Sequence, residues 1–262
     1  MVKNVILYRL LLSIKILFYR PNSEMKNLLV IVPVAICFIF SSSTTRAQDK
    51  SIITRANEYS VALRRYQKQK GRVSVERVVS KGKYVAEKLD KIEALSEADY
   101  SLLERKMKGF TINRQEILFI EPDSKFFLDL SRKHGTAADI AFFSLMRKIK
   151  PNDVWAAYIE QQTDVTGCTI YGNGLLTRLY GQILKFRRTY PKSFVKDIND
   201  ERNGILEAFS ESGCSCGDMK GVLKEFRLFI RTYPMDKTTT KIKVNLIDLK
   251  KRGDFRFNCH SG

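Results

Sequence analysis

One internal repeat restricts what this chain can fold into more than any other feature. Leu179-Tyr180 and Ile183 to Pro191 lie on Val222-Leu223 and Phe226 to Pro234 at a constant offset of 43 residues. Phe186, Arg188, Thr189, Tyr190 and Pro191 recur as Phe229, Arg231, Thr232, Tyr233 and Pro234, and Ser193 falls on Asp236, both helix-capping types. Proline lacks an N–H and its ring clashes with the preceding turn, so each copy reads as a helix, a Tyr-Pro turn and a second helix. Two copies in succession predict stacked antiparallel helical hairpins.

Antiparallel helices return the chain to the end where it began. Helices of about 15 residues are ~22 Å long. Both Tyr-Pro turns are therefore expected at one end of the hairpins, with Cys168, Cys214, Cys216 and Cys259 at the other. Closing Cys214 directly onto Cys216 strains a short loop. Two pairings remain open: 168 with 214 and 216 with 259, or 168 with 216 and 214 with 259. Either staples a loop of roughly 40 residues, stabilising by ~3 to 4 kcal/mol on the chain-entropy model. A metal site is the alternative, because Cys214, Cys216, Cys259 and His260 supply three thiolates and an imidazole, a set that tetrahedral zinc accepts. The Cys-x-Cys spacing is tighter than the usual structural zinc pattern, and disulfides are the preferred reading.

The Phe-x-x-x-Tyr-Pro run closing each first helix resembles the tetratricopeptide-like hairpins of extracytoplasmic assembly proteins over about residues 174–252. The offset is 43 rather than 34, and two copies are visible. The resemblance implies a concave helical surface used for protein contacts.

The first 47 residues differ in kind from the rest. Leu28 to Phe40 is an apolar run of 13 residues broken only by Pro33. A membrane-spanning helix needs ~20 apolar residues, whereas this length suits the core of a secretory signal. Met25 and Lys26 supply a start and a positive charge before it, and Thr45 and Ala47 are small residues at minus three and minus one for cleavage before Gln48. Residues 1–24 then read as an over-extended start, because Val5 to Tyr19 carries Arg9 and Lys15 within its apolar stretch. Cys37 does not complete a lipoprotein signal, since Ile36 precedes it where a small residue is wanted. The protein is thus expected outside the cytoplasm, periplasmic or extracellular, where an even cysteine count favours disulfides. Membrane anchoring through residues 28–40 is the alternative.

Between the signal and the hairpins, residues 48–166 read as an N-terminal helical region and 167–262 as the repeat region. Ala56, Tyr59, Leu63 and Tyr66 form one helical face. Residues 71–79 allow a short strand or a loop, and helical spacing resumes over Tyr84 to Leu95. Ser96 with Asp99 opens a helix to about Lys106. Residues 113–120 fit helix or strand. A helix from Asp123 to His134 is expected to stop at Gly135 in a left-handed C′ conformation, Thr136 with Asp139 caps the next, and Asp153 is expected to open a shorter helix carrying Trp155, Tyr158 and Glu160. The class is all-α, a helical bundle with C-terminal stacked hairpins.

Six of the 46 basic and one of the 28 acidic residues fall in the first 47, leaving 40 against 27 and a net charge of about +13. That excess favours anionic surfaces such as phospholipid or acidic polysaccharide. A stripe of Lys185, Arg187, Arg188, Arg227 and Arg231 fits phosphate binding, although export removes nucleic acid as the usual partner. No motif demands a cofactor. The two histidines sit in no nucleophile or metal motif, and His134 at a helix end suits the helix dipole. Gly172-Asn173-Gly174 is too short for a phosphate-cradling motif and reads as a turn before a helix. Glu160 and Asp164 near Trp155 offer two carboxylates beside an aromatic, the pattern glycoside hydrolysis requires. The leading expectation is a non-enzymatic interaction or scaffold module with a protein partner at the cell envelope. The alternatives are an envelope glycan hydrolase using Glu160 and Asp164, and a binder of anionic lipid or polysaccharide.

Overall fold

A computed structural model of the chain describes residues 52–69, 72–89, 95–114, 118–163, 166–210 and 214–252. The apolar run 28–40, the residues Asp164, Cys259 and His260, and the start and cleavage positions lie outside the described residues. Helix α1 (52–67) buries Ala56, Tyr59, Leu63 and Tyr66, the face that their spacing predicts. Residues 72–75 are irregular, and α2 (Glu76–Leu89) starts well before Tyr84. The Ser74 hydroxyl accepts from the Glu76 N–H at 3.2 Å, and Val78, Val79 and Val85 are buried, so packing outweighs the modest helix propensity of valine.

Helix α3 (Glu97–Lys106) opens as expected, with the Ser96 side chain accepting from the Asp99 N–H. Within the stretch 113–120, the described residues 113–114 and 118–120 are strand, in the antiparallel pair β1 (Phe110–Arg114) and β2 (Leu118–Pro122). Asp123 caps α4 (Ser124–His134) by accepting from the Phe126 N–H at 2.8 Å. Gly135 ends α4, but with φ −83° and ψ 175° it is extended, not left-handed. Glycine serves closeness there: a Cβ would sit 2.7 Å from the Ser131 Cα and 2.8 Å from its carbonyl oxygen. Thr136 and Asp139 form a reciprocal capping box on α5 (Ala137–Ile149).

The helix expected from Asp153 does not form. Asp153 has φ 63°, and its carboxylate accepts from the Ser124 N–H at 2.9 Å, capping α4 instead of a helix of its own. The chain then pairs β3 (Ile159–Gln161) with β4 (Gly167–Thr169), Glu160 opposite Cys168. Tyr158 and Glu160 therefore lie at and within a strand.

The repeat folds as two hairpins: α6 (Leu175–Thr189) with α7 (Val195–Ala208), and α8 (Met219–Thr232) with α9 (Lys237–Arg252). Their turns match bond for bond. Tyr190 N–H donates to Phe186 O at 2.8 Å and Tyr233 N–H to Phe229 O at 2.9 Å. Ser193 N–H reaches Tyr190 O and Asp236 N–H reaches Tyr233 O, both at 3.2 Å. The Thr189 and Thr232 hydroxyls each donate back to the carbonyl four residues earlier. The hairpins diverge at the next helix start. Phe194, buried at φ 50°, gives up the capping role and stacks its ring on Phe142 of α5 at 3.7 Å between centroids. Left-handed backbone at a non-glycine residue costs of order 1 to 3 kcal/mol, which burial of the ring offsets.

Among the described residues the fold is nine helices and two two-stranded antiparallel sheets, predominantly all-α. One hydrophobic cluster runs from Ile52 to Leu249 and takes residues from both sides of Gly167. No helix among the described residues is long and apolar enough to cross a membrane.

Candidate functional site

The two repeats place their second helices, α7 and α9, beside one another on the surface. Between them lies a groove of about 490 Å³ lined by Asn203, Leu206, Glu207, Phe209, Lys237, Thr238, Lys241, Ile242 and Asn245. Its floor is apolar, with Phe209 and Ile242 buried and Leu206 half-buried, while Asn203, Glu207, Lys237 and Lys241 are exposed along its rim. Both ends are pinned. At one, Asn245 Nδ2 donates to the Phe209 carbonyl at 2.8 Å, tying α9 to the end of α7. At the other, the Tyr180 hydroxyl donates to Asp236 Oδ2 at 2.7 Å and Arg202 Nη2 donates to the Tyr180 oxygen at 3.2 Å. Asp236 Oδ1 also accepts from the N–H and hydroxyl of Thr238 at 2.9 and 2.7 Å, which starts α9. Burial works against the Asp236 charge, but the bonds from Tyr180 and Thr238 outweigh it and hold the carboxyl below the usual aspartate range.

The hairpin stack is held from within by Glu225 of α8, a fully buried carboxylate. Its Oε2 accepts from the N–H groups of Gly172 and Gly174 at 3.1 and 2.8 Å, and Oε1 from the N–H and hydroxyl of Thr177 at 3.2 and 2.9 Å. Gly174, at the N-cap of α6 with φ 73°, has no side chain to cap the helix, and Glu225 caps it from the neighbouring hairpin. Gly172, at φ 85°, allows the approach of α8, since a Cβ there would meet the Gly221 Cα at 2.9 Å. The Gly-Asn-Gly turn does cradle an anion, but that anion is the protein's own.

At the cysteine end, Cys168 of β4 is bonded to Cys216, 48 residues along the chain. Thr169 N–H donates to Cys214 O and Cys216 N–H to Thr169 O, bringing the segment around 215 alongside β4. Of the two pairings open in the sequence, this bond belongs to the second. Cys214 is also disulfide-bonded, and Cys259 and His260 lie outside the described residues. Glu160 has an oxygen within 4.8 Å of the sulfurs of Cys168 and Cys216, but two sulfurs bonded to one another offer no thiolate to a metal. Glu160 itself is exposed on β3, accepting from Gln162 Nε2 at 3.4 Å.

Sequence reasoning missed a second concentration of charge. Lys83 of α2 pairs with Asp197 of α7, and Lys150 after α5 pairs with Glu201 of α7 at 2.9 Å. Glu121 of β2 lines the same cleft, of about 270 Å³. Burial is the main reason its carboxyl is pushed above the usual glutamate range, against the pull of Lys150 and Lys83. Burial also opposes the Lys150 charge, but Glu201 beside it prevails and raises its pKa. These pairs clamp α7 to the N-terminal elements, across 114 residues in the case of Lys83 and Asp197, a separation that leaves no local signal.

Glu121 supplies a stability test with a definite sign. A carboxyl whose folded pKa is raised favours the protonated form, so its ionisation costs stability above the folded value and costs nothing below the unfolded one. Glu121→Gln is expected to raise the thermal unfolding midpoint at pH 7, with the gain disappearing below about pH 4. Differential scanning calorimetry at both pH values checks this, and an unchanged or lowered midpoint at pH 7 contradicts it.

Comparison with known proteins finds no matching family model, no matching curated protein and no matching solved structure.

Proposed function

We propose that this protein is an exported, non-enzymatic interaction module of the cell envelope whose groove between α7 and α9 receives a segment of a partner protein. The groove carries the reading: an apolar floor with an exposed polar rim, formed where the second helices of two stacked repeats meet and fixed at both ends by hydrogen bonds. A floor of this kind gives affinity, and the rim gives register and specificity. The likeness of the repeat to tetratricopeptide-like hairpins points the same way, since stacked hairpins use such surfaces for protein contacts. The signal-like segment 25–47 and the oxidised cysteine pair support a location outside the cytoplasm.

Site-specific photo-crosslinking in the native host tests this. A photoreactive residue at Glu207 or Lys241 is expected to give one discrete adduct with a protein partner, lost when Leu206→Glu places a charge on the floor. The same probe at Lys185 or Lys224, exposed on α6 and α8, is expected to give none. Equal adducts from both faces, or none from the groove, overturn the assignment.

A further inference from the structure

A concave cluster of cations lies away from the hairpins, between α1 and α3. A groove of about 420 Å³ there is lined by Arg64 from α1 and by Arg105, Lys106 and Lys108 from the end of α3 and the turn after it, with Ser60 and Gln67 as neutral polar groups and Leu63 and Leu102 as apolar ones. It contains four cations and no carboxylate among its lining residues. The three acids of α3 are engaged elsewhere. Glu97 and Glu104 of α3 both pair with Arg114 of β1, at 2.9 and 3.6 Å, and Asp99 is bonded to Ser96 at the opposite end of the helix. The position is fixed, because the Tyr59 hydroxyl of α1 donates to the Lys108 carbonyl.

Basic residues are favoured at helix C-termini by the helix dipole, which accounts for Arg105 and Lys106 in the last turn of α3. It does not account for Lys108, beyond the helix, or for the convergence of two helices' cations on one concavity. Like charges gathered in a groove repel, and a bound anion relieves that repulsion while gaining charge-assisted hydrogen bonds. Arginine presents a planar fork that matches two oxygens of a phosphate, and two arginines here face one groove large enough for more than one phosphate group.

We infer that the groove between α1 and α3 is a binding site for a ligand carrying two or more phosphate groups, held by Arg64 and Arg105 with Lys106 and Lys108 supplying further charge. The site is separate from the α7/α9 groove and does not depend on its role.

The test uses the full mature chain, sodium tripolyphosphate as probe and titration calorimetry at about 0.15 M salt, where exposed charges more than ~8 Å apart are largely screened. Saturable one-to-one binding is expected, at least about tenfold weaker in the double variant Arg64→Gln/Arg105→Gln. Glutamine has nearly the helix propensity of arginine, so an unchanged unfolding midpoint is expected to show that the variant folds. The control Lys185→Gln/Arg188→Gln removes the same charge from α6 and is expected to stay within about twofold. A second arm uses phosphatidylglycerol vesicles. Competition with tripolyphosphate for the wild-type protein identifies a lipid headgroup as the phosphate source, and its absence identifies a soluble one. Equal weakening in the two double variants, or no saturable binding of tripolyphosphate, overturns the site.

Discussion

Glu225→Ala is expected to lower the unfolding free energy by about 4 kcal/mol or more, the largest single-residue effect in the molecule. The carboxylate accepts four hydrogen bonds from Gly172, Gly174 and Thr177 in a fully buried position. Its removal leaves buried donors without partners, each costing about 1 to 3 kcal/mol, and opens a cavity that the backbone of the turn fills only in part. Glu225→Gln separates the contributions, since the amide keeps the volume and one accepting oxygen but turns an N–H₂ toward N–H donors. It is expected to fall between the wild type and the alanine variant. Urea denaturation followed by far-UV circular dichroism measures all three, and a loss below about 1 kcal/mol for Glu225→Ala contradicts the role assigned to it.

The double variant Cys168→Ser/Cys216→Ser is expected to lose a comparable amount, about 4 kcal/mol. The bond closes a separation of 48 residues, and on the chain-entropy model the stabilisation comes mainly from restricting the unfolded chain. That origin makes a second, independent prediction. Without the crosslink the denatured state is more expanded and exposes more surface, so the urea m-value rises as the midpoint falls. A midpoint shift without a change in m would place the contribution in the native packing of β4 against the segment around Ser215. An unchanged midpoint would contradict a stabilising role for the bond altogether.

Both effects lie in the part of the chain whose repeat was plainest in sequence, but the two roles were not equally visible: Cys168 and Cys216 stood out as disulfide partners in one of two pairings, and Glu225 did not stand out. The Tyr-Pro turns were legible because their determinants are local: proline stops a helix, and the bonds from Tyr190, Ser193 and Thr189 recur 43 residues later. The caps at Ser96 and Thr136 were legible for the same reason, the partner being three residues away. Glu225 was hidden because it serves a turn some 50 residues distant, and because its repeat counterpart is Gln182, so the alignment at 43 draws no attention to it. Asp153 was misread because its capping chemistry was recognised correctly but assigned to the helix following it, whereas the carboxylate turns to Ser124. The charge clamp of Lys83 with Asp197 and Lys150 with Glu201 exists only once the fold brings α2 and α5 to α7.

The grooves follow the same division. That the chain forms two stacked hairpins was readable from the repeat. The groove between their second helices was not, because Asn203 and Lys241 become neighbours only once the two hairpins stack. The basic groove was readable only as a diffuse excess of charge. Its definition depends on Arg114 occupying Glu97 and Glu104, an arrangement set by the β1–β2 hairpin and α3 together.

The proposed state of this protein is an oxidised hairpin stack outside the cytoplasm, and peptide mapping of the protein recovered from its native host, alkylated before any reduction, tests that most directly. The predicted result is a peptide containing Cys168 linked to one containing Cys216, a second link between Cys214 and Cys259, and an N-terminus at Gln48. Alkylated Cys168 or Cys216 in the unreduced protein, or Cys168 linked to Cys214, would contradict it.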